Sequence, residues 1–159
     1  MNPQLDAVSP AEGTPRAYIL EDDVAIAALE ADVLRDLGFS VITCARIVEL
    51  GDLMELALPH LLVVDVMLPD GDGGDITELL RTAWPGIPVI IVSAASRERL
   101  HELRDLGPIV TKPFDIHEFA SAAVQAVNTP RSLEGARESG PARDEGASAA
   151  PIAERASAG

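Results

Sequence analysis

Hydrophobic residues in this sequence form short runs, and longer amphipathic stretches lie between them. Residues 61–65 (Leu-Leu-Val-Val-Asp) and 88–93 (Pro-Val-Ile-Ile-Val-Ser) lack polar alternation, which is typical of strands buried on both faces of a parallel sheet. Residues 39–44 are rich in β-branched side chains and indicate a further strand. Two shorter apolar runs, at residues 16–20 and 109–111, complete a set of five predicted strands.

Helices are predicted between and after these strands. Residues 24–37 carry apolar side chains at helical spacing, and Gly38 follows in the position of a helix-ending glycine. Asp115 is the expected N-cap of the last helix, with Glu118 three residues later in a capping-box arrangement, and this helix runs to Val127. The other helices are predicted at residues 47–58, 75–83 and 97–106. The helical spacing of the first helix is carried by Val24, Ala27, Ala28, Ala31 and Leu34.

The alternation of strands and helices predicts the fold class. It implies an α/β domain with a doubly wound, five-stranded parallel sheet, helices on both faces and right-handed crossovers. The domain is expected to cover residues 16–129. Residues 1–15 are rich in Pro, Ala and Gly without periodicity, which predicts a flexible lead. Residues 130–159 contain almost no large apolar side chain, which predicts a disordered low-complexity tail.

The charge and cysteine content narrow the class of protein. A formal net charge of −14 argues against direct DNA binding and against binding to an anionic membrane. No apolar run approaches the ~20 residues of a membrane span. The single cysteine, Cys44, excludes an internal disulfide, so we expect a cytoplasmic protein in which Cys44 is a small buried hydrophobic residue. Lys112 is the single lysine among 12 basic residues.

Polar residues stand where four of the predicted strands end. Glu21 and Asp22 follow the first strand, Asp65 ends the third, Ser93 ends the fourth, and Lys112 follows the fifth. Because the carboxyl ends of parallel strands meet at one edge of the sheet, we expect these side chains to lie together. Three carboxylates at one place repel each other unless a cation lies between them. Hard oxygen ligands in that number suit Mg²⁺.

Such a set of groups fits phosphoryl transfer to Asp65. A carboxylate nucleophile needs the transferred group held in line and the charge on its oxygens compensated. Mg²⁺ would contact one phosphoryl oxygen, the Ser93 hydroxyl a second and the Lys112 ammonium a third. The simpler alternative is that Asp65 is a turn residue and that the acids after the first strand only favour the start of a helix, a role that we expect for Asp23.

These residues resemble the receiver domain of two-component response regulators, and the resemblance covers about residues 16–128. The motifs that match are Glu21-Asp22, Asp65 with Pro69 and Gly73 downstream, Ser93-Ala94, and Lys112-Pro113-Phe114. The resemblance implies a flavodoxin-like fold with strand order 2-1-3-4-5.

Residue roles also follow from the resemblance. It implies that Asp65 is the phosphoacceptor, and that Ser93 and Lys112 contact the phosphoryl group. It further implies Mg²⁺ as the cofactor, and a cis peptide bond before Pro113. The metal ligands would be Glu21, Asp22, Asp65 and the backbone carbonyl of Met67.

The sequence departs from the usual receiver pattern in one region. Ile109 stands where receivers commonly carry an aromatic residue that reorients on phosphorylation. The interval from Ser93 to Lys112 is also a few residues short, chiefly around Gly107-Pro108, which predicts a shortened helix 4–strand 5 region. We therefore expect switching by displacement of helix 4 and its loops. Arg97, Arg99 and Arg104 of that helix are expected to form a solvated face or an interaction surface.

The function implied by the resemblance is that of a stand-alone response regulator. A histidine kinase or histidine phosphotransfer protein would donate the phosphoryl group, and a downstream protein target would bind the switched form. Catalysis would be limited to Mg²⁺-dependent self-phosphorylation and dephosphorylation at Asp65, and we expect a monomer or weak dimer. No effector domain is expected in residues 130–159.

The sequence leaves three alternatives to this function. The first is a phosphorylation-independent binding module on the same fold. The second is a flavin carrier of flavodoxin type, although the acids after the first strand would repel the flavin phosphate. The third is an aspartyl-phosphate phosphatase, although such enzymes commonly carry a second acid where this sequence has Met67.

Overall fold

The computed structural model of the protein describes residues 11–130, and a five-stranded parallel sheet lies at their centre. In chain order the strands are β1 (Arg16–Leu20), β2 (Ser40–Cys44), β3 (Leu61–Asp65), β4 (Met67–Leu68), β5 (Gly71–Asp72), β6 (Val89–Ser93) and β7 (Ile109–Thr111). The sheet order is β2-β1-β3-β6-β7, and β4 and β5 form a separate antiparallel pair. The predicted order 2-1-3-4-5 is confirmed, because β6 and β7 are the fourth and fifth strands of the sheet. Residues 1–10 and 131–159, with most of the predicted lead and tail, lie outside the described residues.

Five helices pack on the two faces of this sheet. They are α1 (Val24–Asp36), α2 (Ile47–Leu56), α3 (Gly73–Ala83), α4 (Arg97–Leu103) and α5 (Ile116–Asn128). Asp23 caps α1, since its Oδ1 accepts hydrogen bonds from the backbone N–H groups of Ala25 and Ile26 at 2.9 and 3.0 Å. Asp115 caps α5 by accepting from the N–H of Glu118 at 2.8 Å. The expected N-cap Asp115 is therefore confirmed, and Asp23, which was expected only to favour the start of the helix, is the N-cap of α1. Among residues 11–130 no helix is long and apolar enough to cross a membrane.

Helix ends differ from the prediction by one to three residues, and α2 ends at Leu56 rather than at residue 58. Two of the differences have a local reason. Helix α3 begins at Gly73 rather than at residue 75, because the Asp72 carboxylate caps it by accepting from the N–H groups of Gly74 and Asp75. Helix α4 ends at Leu103 rather than at residue 106, because the chain turns there and Leu106 N–H bonds to the carbonyl of Leu103 at 2.9 Å. The β4–β5 pair was not predicted.

The hydrophobic core lies on both sides of the sheet. Strands β3 and β6 are buried at every position, as their uninterrupted apolar runs predict. One cluster joins the sheet to α1 and α5 and includes Leu34 and Phe119. The other joins it to α2 and α4 and includes Leu50 and Leu103. The sheet is thereby held from both faces, which fixes the edge where its strands end.

Cys44 is a buried structural residue, as expected. Its Sγ donates a hydrogen bond to the carbonyl of Ile19 at 3.4 Å. Burial, reinforced by the charges of Glu49 and Asp70, raises the pKa of the Cys44 thiol to about 12. A thiol that stays protonated at neutral pH is a poor nucleophile.

The buried face of α1 differs from the row of apolar residues that carries its helical spacing. Val24 and Ala28 are exposed, whereas Glu30 is completely buried. Neither carboxylate oxygen of Glu30 has a hydrogen-bond partner among the described residues. Burial, together with the charge of Glu21, raises the pKa of Glu30 from 4.5 to about 8. The carboxyl group is therefore neutral in the folded domain at neutral pH, which reduces the cost of burying it.

The raised pKa of Glu30 makes the stability of the domain depend on pH. Between pH 4.5 and about 8 the unfolded chain has lost the Glu30 proton while the folded domain retains it. The free energy of unfolding therefore falls as pH rises through this window. We expect Glu30→Gln to remove this contribution, so that the variant gains stability relative to wild type by up to about 1 kcal/mol per pH unit.

Urea unfolding of both proteins at about pH 5 and about pH 8.5 measures the difference. Other titrating groups are common to the two proteins and cancel in the comparison. A difference between variant and wild type that is the same at both pH values would contradict a neutral Glu30.

Candidate functional site

Asp65 lies at the edge of the sheet where three parallel strands end. It is the last residue of β3 and is only 4% exposed. Strand β1 lies on one side of β3, with Leu20 opposite Val64, so the next residue, Glu21, emerges beside Asp65. Strand β6 lies on the other side, with Val92 opposite Asp65. The parallel pairing thus brings the predicted residues to one place.

Lys112 joins two of these carboxylates. Its Nζ donates to Glu21 Oε2 at 2.6 Å and to Asp65 Oδ2 at 3.0 Å. Burial acts to lower the pKa of Lys112, but the bonds to the two carboxylates outweigh it and the pKa is raised. The ammonium group is therefore charged in the folded domain. The peptide bond between Lys112 and Pro113 is cis, as predicted.

Three acids lie close together at this edge of the sheet. Carboxylate oxygens of Glu21, Asp22 and Asp65 all lie within 4.8 Å of one another. Burial is the main cause of the raised pKa of Glu21; the Asp65 charge adds to it, and the Lys112 bond opposes it. Asp22 is exposed, so the group is open to solvent on one side. Three carboxylates outnumber the single ammonium group, which leaves an excess of negative charge. Hard oxygen donors with such an excess suit a divalent cation such as Mg²⁺.

Ser93 ends β6 and is fully buried. Its Oγ accepts a hydrogen bond from the backbone N–H of Ala95 at 3.0 Å. Because the hydroxyl acts there as an acceptor, its proton can be donated to another group. Lys112 is connected to the same strand, since its backbone N–H bonds to the carbonyl of Ser93 at 3.0 Å.

The turn after Asp65 folds closely against it. A Cβ atom on Gly73 would lie 1.9 Å from the Asp65 carbonyl oxygen, so only glycine fits at this position. The Gly73 N–H bonds to the carbonyl of Val66 at 2.8 Å, and the Met67 N–H donates to Asp65 Oδ1 at 3.1 Å. The Asp65 carboxylate is thereby oriented by its own loop. The carbonyl of Met67 as a metal ligand stays a prediction.

Two acids of this turn anchor it to neighbouring helices, and sequence reasoning missed both. The Asp70 carboxylate accepts from the N–H groups of Ile47 and Val48 at 3.1 and 3.3 Å, at the start of α2. Asp72 accepts from Arg99 Nη2 of α4 at 2.8 Å. The sequence does carry one signal for these anchoring roles, which is the close spacing of two acids in a Gly-rich turn. The sequence cannot say which helix supplies their partners.

Of the three arginines expected on a solvated face or an interaction surface, Arg99 is partly buried. Its side chain is only 25% exposed and pairs with Asp72 and Asp75. Arg97 and Arg104 are exposed, as expected for a solvated face. Ile109 is half-buried in β7 and packs against the core cluster that contains Leu103.

The comparison with known families identifies the class of protein. The sequence profile of the response regulator receiver domain matches residues 17–124. The chain therefore belongs to the response regulator receiver domain family. This family normally uses Mg²⁺, and its members are in general signalling modules rather than enzymes. The flavin-carrier and phosphatase alternatives are thereby set aside.

Individual relatives agree with this assignment. A response regulator receiver protein of Anaeromyxobacter sp. (strain Fw109-5) is 34% identical over 105 residues, which cover 65% of this chain and 42% of that protein. The probable transcriptional regulatory protein TcrX of Mycobacterium tuberculosis is 33% identical over 112 residues, 68% of this chain and 48% of that one. The chain thus spans about half the length of these curated relatives. A CheY-like receiver domain protein from Methanospirillum hungatei JF-1 superposes with a TM-score of 0.65 at 25% identity, covering 71% of this chain and 93% of that one.

The buried ammonium group leads to a prediction about stability. Lys112→Met would leave two buried carboxylates without a counter-charge, so we expect the free energy of unfolding at neutral pH to fall by about 1–3 kcal/mol. The double variant Lys112→Met/Glu21→Gln removes one of those charges and should recover part of the loss. Urea unfolding of the three proteins without divalent cations measures both effects. Equal stability of wild type and Lys112→Met would contradict the interaction.

Proposed function

We propose that this domain accepts a phosphoryl group on Asp65 and that phosphorylation changes its binding to a partner protein. The observation that carries the proposal is the position of Lys112 Nζ, 3.0 Å from Asp65 Oδ2 and 2.6 Å from Glu21 Oε2. A carboxylate that is almost buried, next to a fixed cation and two further acids, is arranged for phosphoryl transfer. The functional unit would be the predicted domain, residues 16–129.

Mg²⁺ is the cofactor that these residues would hold. Glu21, Asp22 and Asp65 supply oxygen donors within 4.8 Å of one another, with the Met67 carbonyl as a proposed further ligand. When bound, the ion would offset negative charge on the phosphoryl oxygens and on the attacking carboxylate. Asp22, which is exposed, would form the solvent side of the site.

The residues of the chain would each have a defined part in the transfer. An oxygen of Asp65 attacks the phosphorus of a phosphohistidine on a kinase or phosphotransfer protein. The new O–P bond forms as the P–N bond breaks, and the imidazole leaves and takes up a proton. Lys112 Nζ, which already lies at Asp65, donates to one phosphoryl oxygen, and the Ser93 hydroxyl donates to another. Attack by water on phosphorus later breaks the O–P bond and releases phosphate.

Output would pass through protein contacts. The strongly acidic character of the chain disfavours direct DNA binding, and a downstream protein target is the proposed partner. Ile109 lacks the aromatic ring that commonly reorients in receivers. The proposed response is therefore a displacement of α4 and of the loop that leads to it from Ser93.

Direct modification tests the proposed chemistry. Incubation with Mg²⁺ and a small phosphodonor such as acetyl phosphate should add the mass of one phosphoryl group to wild type, and Asp65→Asn should gain none. Asp52→Asn is the matched control, because Asp52 is an exposed acid on α2 and should leave modification intact. Intact-protein mass spectrometry measures the result. Absence of a mass gain in wild type would overturn the proposal and favour the phosphorylation-independent binding module.

Metal binding can be tested separately by unfolding. A ligand that binds only the folded domain stabilises it by about 1 kcal/mol when present at roughly five times its Kd. We expect Mg²⁺ to raise the urea midpoint of wild type and to have little effect on Asp22→Asn. Asp36→Asn, an exposed acid at the end of α1, should respond like wild type. An equal Mg²⁺ response in Asp22→Asn would rule out the proposed role of Asp22.

A further inference from the structure

Helix α4 is weakly anchored in the hydrophobic core. It has seven residues, and Leu103 is the single buried one. Helices α1 and α5 bury four residues each. Burial of apolar surface is the main stabilising term for helix packing, so α4 depends on other interactions to keep its position.

Arg99 supplies ion pairs between α4 and α3. Its Nη2 lies 2.8 Å from Asp72 Oδ1 and 2.7 Å from Asp75 Oδ1. Its Nη1 pairs with Glu102 of the same helix at 2.9 Å, which holds the guanidinium in this orientation. Among the described residues, no other side-chain ion pair connects α4 to another helix. We call Arg99 with Asp72 and Asp75 the α3–α4 latch.

Gly74 makes room for this latch. A Cβ atom on Gly74 would lie 2.8 Å from Arg99 Nη2 and 2.7 Å from Leu103 Cδ2. A larger residue would push the guanidinium and Leu103 away from the first turn of α3. The glycine therefore lets the polar and the apolar anchors of α4 share one contact surface on α3.

Asp72 remains ionised in the latch. Burial acts to raise the pKa of Asp72, but the bonds from Arg99 and from the backbone N–H groups of Asp75 and Gly74 outweigh it, and the pKa is lowered. A charged carboxylate that accepts from guanidinium makes a stronger bond than a neutral pair does. The side chain of Asp72 is 38% exposed, so the ion pair between Asp72 and Arg99 is also partly shielded from water.

The two ends of the latch are attached to two different chain segments that adjoin the proposed phosphoacceptor Asp65. In one segment Asp72 immediately precedes Gly73, whose Cα packs on the Asp65 carbonyl. In the other segment Ser93 begins the loop to α4, and the N-cap of α4, Ser96, accepts from the N–H of Arg99 at 3.3 Å. A relative movement of these two segments would change the distance from Arg99 to Asp72.

We propose that the α3–α4 latch holds α4 in its unphosphorylated position and that phosphorylation of Asp65 opens it. This inference rests on the proposed function of Asp65. When the Ser93 hydroxyl donates to a phosphoryl oxygen, its Oγ moves toward Asp65 and draws along the Ala95 N–H from which it accepts, so the loop to α4 shifts. Helix α3 stays with Asp65 because of the close contact at Gly73. The movement therefore acts on the ion pairs of Arg99, which makes Arg99 a positioning residue for the response.

The far end of α4 supports such a movement. Arg81, in the last turn of α3, donates a hydrogen bond to the backbone carbonyl of Asp105, just after α4. This bond and the buried Leu103 hold the end of α4 while the latch holds its beginning. Opening the latch would swing the first turn of α4, with the exposed Arg97, about the fixed end.

Thermodynamic linkage gives the direction of the effect. An interaction that exists only in the unphosphorylated conformation opposes phosphorylation. Removing it should make the conformation with a phosphoryl group more accessible, and a phosphoryl mimic should bind more tightly by the same factor. The loss of two partly exposed ion pairs corresponds to about a three- to tenfold increase in affinity for the phosphoryl mimic.

The test compares Arg99→Gln with Arg97→Gln in the full chain. Both variants remove one arginine charge from α4, but Arg97 is exposed and makes no ion pair among the described residues. Asp75→Asn is a milder second variant, since its side chain is 70% exposed and the capping role of Asp72 is untouched. Hydrogen exchange of residues 97–103 measures opening of α4. Titration with beryllofluoride in Mg²⁺, a mimic of the aspartyl phosphate, measures coupling to Asp65.

We expect Arg99→Gln to accelerate exchange in residues 97–103 and to tighten beryllofluoride binding about three- to tenfold. Asp75→Asn should also accelerate exchange and tighten beryllofluoride binding, but by smaller factors than Arg99→Gln. Arg97→Gln should match wild type in both measurements. Because Arg99 and Asp75 share one ion pair, the double variant Arg99→Gln/Asp75→Asn should change the free energy of beryllofluoride binding by less than the sum of the two single changes.

The remaining outcomes separate this inference from the proposed function. Faster exchange with unchanged beryllofluoride affinity would make the latch a structural contact only and would overturn the coupling. Identical behaviour of Arg99→Gln and Arg97→Gln would overturn the latch itself. If wild type binds no beryllofluoride and gains no phosphoryl mass, the proposed function fails and takes the coupling with it, while the exchange data still report whether Arg99 holds α4.

Discussion

The position of one ammonium group between two buried carboxylates determines the rest of this site. Lys112 follows β7, whereas Glu21 and Asp65 belong to the ends of β1 and β3, so the ion pairs join three strands at one edge of the sheet. Buried charges are tolerated only when they are paired, and here each depends on the others. The charge that stabilises the resting site is thus the same charge that a phosphoryl oxygen could use.

The charges of the site also act on the buried carboxyl group of Glu30. This carboxyl group lies in the core face of α1 without a hydrogen-bond partner among residues 11–130, and the charges of Glu21 and Asp65 both add to the raised pKa that burial gives it. A protonated acid at this position avoids a further anion beneath the site. The domain therefore accommodates a buried carboxyl group that is kept neutral by burial and by the nearby charges of Glu21 and Asp65.

Much of the fold and site could be predicted because the responsible signals are local. The apolar runs of β3 and β6 identify buried strands, and the parallel order then places Asp65, Ser93 and Lys112 at one edge. What could not be predicted depends on how separate elements meet. The contact of Arg99 with Asp72 requires the relative placement of α3 and α4, which no periodicity encodes.

Helix boundaries and the buried face of α1 were missed for related reasons. Helix α4 ends early because of a local turn at Leu103, although the polar and apolar pattern continues beyond it. In α1 the composition is so rich in alanine that several apolar stripes fit, and the packing of α1 on the sheet and on α5 selects the one that contains Glu30. Hydrophobic pattern alone cannot choose between such stripes.

The burial of Cys44 has a practical consequence for following motions of this domain. It is the only cysteine in the chain, and its thiol is covered and stays protonated at neutral pH. A thiol reagent should therefore leave the native protein almost untouched. A cysteine introduced on the exposed side of α4 would carry a fluorescent or spin label at a single site, with no need to remove the natural one.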